Sequence, residues 1–308
     1  MKQFRILFIS LILSLGLSCY AQDRIGLVLS GGGGKCAAQV GALEVIERAH
    51  VKVDYISGTS FGAVVGALYA AGYTPSELKD FFLSNDWMKI FKKDGFNLGK
   101  SVSNFFNSMG ALFFGKDDSE DDDPYGLLPG EALERLFENM LQRKGVYTFS
   151  DLKIPFRCVL TDIDNLTEVV CSEGNLARAL RATMSVPGLF KPVSFYGRTI
   201  VDGGLMNNYP VDVARRMGAD YIIGVDVQVG PDEPFDFKIN TNGLVRWSKE
   251  RPDVKKRENN IYNTDLYIHP EVHDFSAASY SHDECDYMMR QGRYEAEKYF
   301  DRLKWLGY

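Results

Sequence analysis

The sequence predicts an α/β domain in which a mostly parallel sheet is covered by helices on both faces. Residues 24–29 form an apolar run that leads through a glycine-rich turn into an amphipathic helix over residues 37–47. Residues 51–57 form a second such run, which leads through another tight turn into a helical stretch over residues 63–71. Two consecutive strand–helix units with short connections imply parallel strands, because the helix returns the chain to the edge where it began.

Later segments add strands and helices to this framework. Apolar runs predict strands over residues 156–162, 168–171, 199–202, 221–227 and 265–268, the last at a sheet edge. Helical spacing predicts helices over residues 74–82, 128–138, 176–183 and 211–217, and one long closing helix over 281–305. Residues 230–262 are polar and are expected to be irregular. The length of 308 residues suits one large domain, placed at residues 22–308 with its core at 24–230.

Residues 1–21 are typical of a secretory signal peptide. Lys2 and Arg5 form a positive start, an apolar stretch follows, and small residues precede a cleavage point at Gln22. The apolar stretch is too short for a transmembrane helix. The alternative is a lipoprotein anchor on Cys19, which the glycine three residues earlier disfavours. We therefore expect an exported protein, located in the periplasm, at the outer membrane or outside the cell.

The net charge disfavours nucleic acid as a partner. The chain has 35 Lys and Arg residues against 41 Asp and Glu residues, a formal charge of −6. Removal of Lys2 and Arg5 with the N-terminal segment would make it more acidic. Nucleic-acid binding needs a basic surface that releases counterions from the phosphates. The sequence makes no prediction of the oligomeric state.

Residues 84–124 interrupt the regular pattern and are expected to form an insertion. Residues 84–114 combine many aromatic residues with lysines, which suits a flap that contacts a membrane surface transiently. The alternative is an ordinary helical insertion with buried aromatic side chains. Residues 117–123 are almost entirely acidic and are expected to be a solvated loop, because they lack the glycine and terminal glutamate of a calcium loop.

The sequence Gly58-Thr59-Ser60-Phe61-Gly62 lies between the second predicted strand and its helix. A serine on such a turn is a candidate nucleophile, because the turn exposes its hydroxyl and the glycines let strand and helix approach closely. Amides at the start of the helix favour negative charge beside it. The alternative is a structural Gly-Ser turn, which the flanking strand and helix disfavour.

Two further loops follow predicted strands and would meet Ser60 at one edge of a parallel sheet. The first has successive amides that could hold an oxyanion, and it consists of Gly31, Gly32, Gly33, Gly34 and Lys35. The second holds Asp202, a candidate base whose pKa would rise into a useful range if it were buried beside the serine. The glycine loop lacks both the phosphate-loop pattern and the third glycine of a dinucleotide site. We expect no cofactor.

The cysteines lack the spacing of metal ligands, and we expect no metal site. After the N-terminal segment they are Cys36, Cys158, Cys171 and Cys285. The predicted strands 156–162 and 168–171 enclose an Asp-Asn turn and are expected to form a hairpin. Cys158 and Cys171 flank this hairpin, so a cross-strand disulfide is conceivable, but two buried thiols are favoured. Asp162 ends the first strand of that hairpin. It is expected to bind backbone amides of the turn and not to act as a second base.

Four motifs in order make the sequence resemble the patatin-like phospholipases. They are G-G-G-G-K at residues 31–35, G-T-S-F-G at 58–62, A-T-M-S-V-P-G-L-F-K-P-V at 182–193 and V-D-G-G-L-M-N-N-Y-P at 201–210. The resemblance implies a three-layer α/β fold and hydrolysis of acyl esters in phospholipid or related lipids by a serine–aspartate dyad without histidine. Carried over by motif, Ser60 is the nucleophile, Asp202 the base and the loop of residues 31–35 the oxyanion hole.

Two positions depart from the family pattern. Cys36 stands where a glycine is usual, and Gln39 stands where a histidine is frequent. A side chain at position 36 would crowd the oxyanion loop if that residue needs a positive φ. These departures keep open a non-enzymatic alternative, a secreted lipid-binding protein with a degenerate site.

A third reading keeps the serine nucleophile but adds a histidine. The order Ser60, Asp202, and then His269 or His273 matches the order of triad residues in α/β hydrolases. In those enzymes the nucleophile normally follows several strands, whereas here it follows the second. The dyad is therefore the favoured reading.

Overall fold

The fold is built around a mixed sheet of eight strands, seen in a computed structural model that describes residues 23–93, 128–187, 189–228 and 252–307. The strands are β1 (Ile25–Leu29), β2 (Val53–Thr59), β3 (Phe156–Asp162), β4 (Thr167–Cys171), β5 (Val193–Phe195), β6 (Arg198–Asp202), β7 (Tyr221–Val225) and β8 (Leu266–Ile268). They are ordered β5-β6-β3-β2-β1-β7-β8, and β4 pairs with β3. The predicted edge strand is confirmed as β8.

The middle of the sheet is parallel, as predicted. Strand β1 pairs in parallel with β2 and with β7, and the β2–β3 and β7–β8 pairs are parallel too. The antiparallel pairs are β3–β4, β3–β6 and β5–β6, which gather at one side of the sheet. The β3–β4 pair is the predicted hairpin.

Strand β3 pairs with three strands, β2, β4 and β6, and these pairings place the end of β6 beside the end of β2. Residues 158–162 pair with β4 along one edge of β3. On the opposite edge, Val159 pairs with Thr59 at the end of β2, and Leu160 pairs with Asp202 at the end of β6. Because β2 is parallel to β3 and β6 is antiparallel to it, β2 and β6 approach each other end to end.

Helices surround this sheet. They are α1 (Ala37–Arg48), α2 (Ser60–Ala70), α3 (Pro75–Ser84), α4 (Trp87–Lys93), α5 (Glu131–Arg143), α6 (Leu176–Thr183), α7 (Gly204–Asn207), α8 (Val211–Met217), α9 (Pro252–Tyr262), α10 (His282–Glu297) and α11 (Phe300–Leu306). Short 3₁₀ turns occur at Gly33–Cys36 and Phe149–Asp151. A capping box, in which Thr74 and Glu77 satisfy each other's backbone amides, begins α3 just before Pro75.

Two apolar clusters show that helices cover both faces of the sheet. Leu27 and Leu29 of β1 belong to the larger cluster, whereas Val28 belongs to a smaller one with Val211 and Ala214 of α8. Successive residues of a strand point to opposite faces, so the two clusters lie on opposite sides of β1. The three-layer arrangement is confirmed.

Two parts of the C-terminal prediction are wrong. Residues 252–262 form helix α9 instead of irregular chain. The segment lacks apolar residues at helical spacing, which is the signal that predicts a helix. Its packing uses ion pairs instead, from Lys256 to Glu168 and from Arg257 to Asp226. The single closing helix is two helices, α10 and α11, which are separated by Lys298 and Tyr299. Strand β5, a short piece of three residues, was not predicted.

None of the helices in the described ranges combines the length and the apolar character needed to cross a lipid bilayer.

Candidate active site

Ser60 lies where β2 turns into helix α2, at the first residue of that helix. Its φ is +53°, a left-handed conformation that is uncommon for a residue with a side chain. Such a conformation costs on the order of 1–3 kcal/mol and persists only where its surroundings hold it. The sharp turn places the serine hydroxyl at the positive end of an eleven-residue helix.

The helix after Ser60 crosses very close to the end of β1, and Gly62 permits this approach. A Cβ atom on Gly62 would lie 2.2 Å from the carbonyl oxygen of Ser30. That distance is far shorter than a van der Waals contact, so any larger residue would push α2 away from the sheet. Gly62 therefore keeps the turn at Ser60 against the glycine loop, which begins directly after Ser30.

Asp202 and Ser60 are in direct contact. The Ser60 hydroxyl donates a hydrogen bond of 2.7 Å to Oδ2 of Asp202, and the amide of Gly204 donates one of 2.7 Å to Oδ1. Ser60 is 8% exposed and Asp202 is 6% exposed. One carboxylate oxygen is thus held by the backbone while the other faces the serine hydroxyl.

Burial raises the pKa of Asp202 to about 6, although the hydrogen bonds from Ser60 and Gly204 oppose part of this rise. Loss of water around a carboxylate disfavours its charged form. A carboxyl group with a pKa near 6 is a stronger base than an exposed aspartate, and it is still mostly ionised at neutral pH. The pKa of Asp202 therefore suits a general base at neutral pH.

The strand that carries Asp202 runs in the direction opposite to the predicted one. The expectation was that the strand before Asp202 is parallel to its neighbours and ends at the same edge as β2. Strand β6 is instead antiparallel to β3. Strands β2 and β6 pair with the same edge of β3 from opposite directions, and their last residues pair with the neighbouring residues Val159 and Leu160. This brings Asp202 next to Ser60.

The glycine loop divides into amides that are bonded and amides that are not. The N–H of Gly31 donates to the carbonyl of Asn208, that of Gly34 to Ala277, and that of Lys35 to Gly32. The N–H groups of Gly32 and Gly33 donate to no group in the described part of the chain. Of the five loop residues predicted to form an oxyanion hole, these two retain free amides.

Gly33 holds the loop in a form that other residues would not tolerate. Its φ is +58°, and a Cβ at this position would lie 2.2 Å from the carbonyl oxygen of Ala277. Both the backbone conformation and the close packing of residues 277–279 therefore require glycine here.

The two departures from the family pattern support the loop. Cys36 has a φ of −63°, so its side chain causes no backbone strain. The Cys36 thiol and the Gln39 amide both donate to the carbonyl of Ser30, at 3.6 Å and 2.7 Å. Burial raises the pKa of the Cys36 thiol well above its usual range, so the thiol stays neutral. The crowding considered from the sequence does not occur.

Two residues of the site were not singled out in the sequence. The Thr183 hydroxyl accepts the N–H of Ser60 at 3.0 Å, and the backbone of Asn208 accepts the N–H of Gly31 at 3.1 Å. Both residues belong to the motifs at 182–193 and 201–210. Their position in those motifs was the available signal, but neither residue type indicates a role by itself.

No hydrogen bond in the described ranges joins a histidine to Ser60 or Asp202. His269 donates from Nδ1 to the backbone carbonyl of Asp226 at 2.7 Å. His273 is mostly exposed and lies 3.5 Å from the carboxylate of Asp274. The carboxylate of Asp202 therefore occupies the place beside the serine that a triad gives to an imidazole.

The contacts of Asp162 are those of a structural residue. Its carboxylate accepts the N–H groups of Asp164 and Asn165 and the side-chain amide of Asn165, at 3.0–3.2 Å. The hydrogen bond from the Asn165 side chain is the main reason that the pKa of Asp162 is lowered. The prediction that Asp162 binds backbone amides of the hairpin turn is confirmed.

The cysteines in the described ranges are free and buried. Cys158 and Cys171 occupy paired positions of β3 and β4. The expectation of two buried thiols agrees with this arrangement.

The start of the insertion packs beside the turn that holds Ser60. Trp87 and Phe91 of α4 are 1% and 8% exposed. The ring of Trp87 lies 5.4 Å from that of Phe61, the residue after Ser60, and the ring of Phe91 lies 6.3 Å from that of Phe190. This part matches the alternative of buried aromatic side chains. The flap was predicted over residues 84–114, and its later part, residues 94–114, lies outside the described residues.

A serine at a strand-to-helix turn, bonded to a buried carboxylate beside free amides, is the arrangement that nucleophilic acyl hydrolases require. The family model described as patatin-like phospholipase matches residues 27–215. The chain belongs to the patatin-like phospholipase family.

Its similar relatives are much longer proteins. Human patatin-like phospholipase domain-containing protein 6 is 31% identical over 227 residues, which are 73% of this chain and 15% of that protein. Lysophospholipase NTE1 of Scheffersomyces stipitis is 31% identical over 241 residues, covering 76% of this chain and 14% of that protein. Among solved structures, VipD from Legionella pneumophila matches with a TM-score of 0.47 and 16% identity, over 91% of this chain and 67% of VipD.

Proposed function

We propose that this protein is a serine acyl-ester hydrolase that acts on phospholipid, lysophospholipid or a related acyl-ester lipid. The observation that carries the proposal is the 2.7 Å hydrogen bond from the Ser60 hydroxyl to the buried carboxylate of Asp202. Its relatives are named phospholipase and lysophospholipase, which supports a lipid ester as the substrate.

In the first half of the reaction, the enzyme becomes acylated. Ser60 Oγ attacks the carbonyl carbon of the ester while its proton passes to Oδ2 of Asp202. The tetrahedral intermediate then collapses, the bond to the alcohol oxygen breaks, and the proton on Asp202 passes to that leaving oxygen. The products are the free alcohol or lysolipid and an acyl group on Ser60.

In the second half, water removes the acyl group. Asp202 accepts a proton from a water molecule, and the resulting hydroxide attacks the acyl carbon. The bond to Ser60 Oγ breaks, the proton returns from Asp202 to the serine, and the fatty acid leaves. The Gly204 amide on Oδ1 keeps the other carboxylate oxygen facing Ser60 throughout.

The free amides of Gly32 and Gly33 are the groups that we assign to the oxyanion. An oxygen that gains negative charge in the intermediate is stabilised by preorganised N–H donors, each worth about 10²–10³ in rate. The helix dipole of α2 adds a favourable potential at the same turn. Gly31, Gly34 and Lys35 shape this loop through their bonded amides.

Export and transient membrane contact belong to the same proposal. The N-terminal sequence supports export by a signal peptide. A lipid substrate that resides in a membrane requires contact with the membrane surface, and the aromatic and basic residues of the sequence over 94–114 are the candidates for it.

A fluorophosphonate probe tests this function directly, since it reacts with activated serine nucleophiles. The purified chain should be labelled on Ser60, as mapped by mass spectrometry, and should release fatty acid from phospholipid vesicles or lysophospholipid micelles. Asp202→Asn should label far more slowly. Ser57 is a buried serine of β2 whose hydroxyl donates to the carbonyl of Pro210, and Ser57→Ala should label normally. Absence of both labelling and fatty-acid release in the wild type would reject the proposal and favour a lipid-binding protein.

A further inference from the structure

We propose that residues 183–185, named here the dyad clamp, hold Ser60 and Asp202 at their mutual distance, with the Thr183 hydroxyl as the positioning group. The inference rests on the proposed function, in which Ser60 attacks and Asp202 accepts its proton. Thr183 is the last residue of α6, and Ser185 lies two residues further along the chain. Both residues are fully buried.

The nucleophile side of the clamp is the Thr183 hydroxyl. It accepts the N–H of Ser60 at 3.0 Å and donates to the carbonyl of Val159 at 2.6 Å. Val159 is the β3 residue that pairs with Thr59, directly before Ser60. The Thr183 hydroxyl therefore connects the strained turn at Ser60 to β3, the strand that pairs with the end of β2.

The base side of the clamp is the carbonyl of Ser185. It accepts the N–H of Asp202 at 2.9 Å, while the Thr161 hydroxyl donates to the carbonyl of Asp202 at 2.9 Å. The backbone of Asp202 is thus held on both sides. The Ser185 hydroxyl accepts a further hydrogen bond of 2.7 Å from the guanidinium of Arg181, which fixes the clamp itself.

The clamp explains how the dyad keeps its geometry without a third catalytic residue. In a triad, an aspartate orients the histidine that contacts the serine. Here the base contacts the serine directly, so both backbones must be fixed independently. Because the Ser60 N–H donates to the Thr183 hydroxyl, it is not free to stabilise an oxyanion, and other N–H groups must do so. The Thr183 hydroxyl acts through Ser60 and contacts no reacting atom.

Two substitutions of Thr183 separate positioning from simple packing. Thr183→Val keeps the shape and removes both hydrogen bonds, whereas Thr183→Ser keeps the hydroxyl. Ser57→Ala is the matched control, because it removes another buried hydroxyl bond on β2, the one to the carbonyl of Pro210 at 2.8 Å. The measurements are kcat and KM on a soluble ester, and the hydrogen-exchange rate of the Ser60 amide by NMR.

We expect Thr183→Val to lower kcat by about 10²-fold, as small displacements in a reacting pair do, with KM nearly unchanged. Thr183→Ser and Ser57→Ala should keep kcat near the wild-type value. The Ser60 amide should be protected from exchange in the wild type and in Thr183→Ser, and exposed in Thr183→Val.

A Thr183→Val protein with normal kcat and a protected Ser60 amide would overturn the clamp. So would a Thr183→Ser protein as impaired as Thr183→Val, because the hydroxyl would then be irrelevant. If the wild type hydrolyses no ester, the proposed function fails. The exchange of the Ser60 amide still decides whether Thr183 holds the turn.

Discussion

Ser60 and Asp202 lie 142 residues apart in the chain, yet the serine hydroxyl donates directly to the aspartate carboxylate at 2.7 Å. No imidazole lies between them. The carboxylate is buried, one of its oxygens is held by the Gly204 amide, and its pKa is raised to about 6. These features suit the role of base that we propose for Asp202, and they lead to predictions that separate this site from a triad.

The activity should depend on the ionisation of Asp202. Only the deprotonated carboxylate can accept the serine proton, so kcat/KM should rise with pH and level off above an apparent pKa of about 6. Below that value it should fall about tenfold per pH unit. The profile should be measured on a short soluble ester, so that lipid packing does not contribute.

The histidine variants are the control for this profile, because an imidazole also titrates near this pH. The same inflection should persist in His269→Gln and His273→Gln. An inflection that disappears with one histidine would assign the ionisation to that residue.

Replacement of the Asp202 carboxylate should stabilise the protein above neutral pH. The folded-state pKa of Asp202 lies above the ordinary value of 3.8, so the folded state binds this proton more tightly than the unfolded state. The stabilising contribution is present below about pH 4 and is lost as pH rises through about 6. Asp202→Asn avoids this loss, which amounts to at most about 3 kcal/mol.

Urea unfolding at pH 8 and at pH 4 measures this difference. The free energy of unfolding of Asp202→Asn should exceed that of the wild type at pH 8, and the two should converge at pH 4. Equal stability at both pH values would mean that the carboxylate is not held in a desolvated state.

The ionised carboxylate of Asp162 should stabilise the fold, whereas that of Asp202 destabilises it. The pKa of Asp162 is lowered by the hydrogen bonds of the hairpin turn, so its contribution to stability is present above the unfolded value and lost as pH falls. Asp162→Asn should therefore lower the melting temperature at pH 8 and leave ester turnover nearly unchanged. Loss of turnover with an unchanged melting temperature would assign Asp162 to the chemistry.

The glycine loop should tolerate no side chain at position 33. Gly33→Ala combines a positive φ with a Cβ only 2.2 Å from the Ala277 carbonyl oxygen, so the loop must move. If the free amides of Gly32 and Gly33 hold the oxyanion as proposed, their displacement should lower kcat by about 10²–10³-fold.

Gly145→Ala is the matched control for this substitution. Gly145 has a φ of +74°, but a Cβ there would meet no heavy atom within 4 Å. It should reproduce the cost of a positive φ and leave kcat unchanged. Equal losses in the two variants would mean that the loop does not stabilise the oxyanion.

Local sequence patterns were sufficient to predict the strand-to-helix turn at Ser60. Ser60 lies between a short apolar strand and an apolar helix, and both signals arise within twenty residues of it. Helices α6 and α8 were predicted with their bounds for the same reason. Asp202 was found through its motif, because a carboxylate followed by two glycines is by itself a common turn.

Features that depend on distant pairing were not predictable. The sequence around Asp202 does not state that β6 is antiparallel to β3, since strand direction depends on the partner and not on local pattern. The contact of Thr183 with the Ser60 amide, on which its proposed role rests, depends on where α6 ends relative to Ser60. Helix α9 was not predicted because it packs through polar contacts, which leave no apolar pattern in the sequence. One of these contacts joins Arg257 to the buried carboxylate of Asp226.

The central claim is that Ser60 and Asp202 carry out the chemistry without a histidine. Ser60→Ala removes only a small hydroxyl at a turn, and Asp202→Asn preserves the shape of the side chain while removing its capacity to accept the serine proton. Both proteins should remain folded, which circular dichroism will verify.

The most direct test is the rate of soluble-ester hydrolysis by Ser60→Ala, Asp202→Asn and single replacements of the four histidines His50, His269, His273 and His282. The first two variants should lose essentially all turnover. Each histidine variant should lose far less than the 10²–10⁴-fold that removal of a general base causes. A folded histidine variant as inactive as Ser60→Ala, or an Asp202→Asn protein with wild-type turnover, would contradict the dyad.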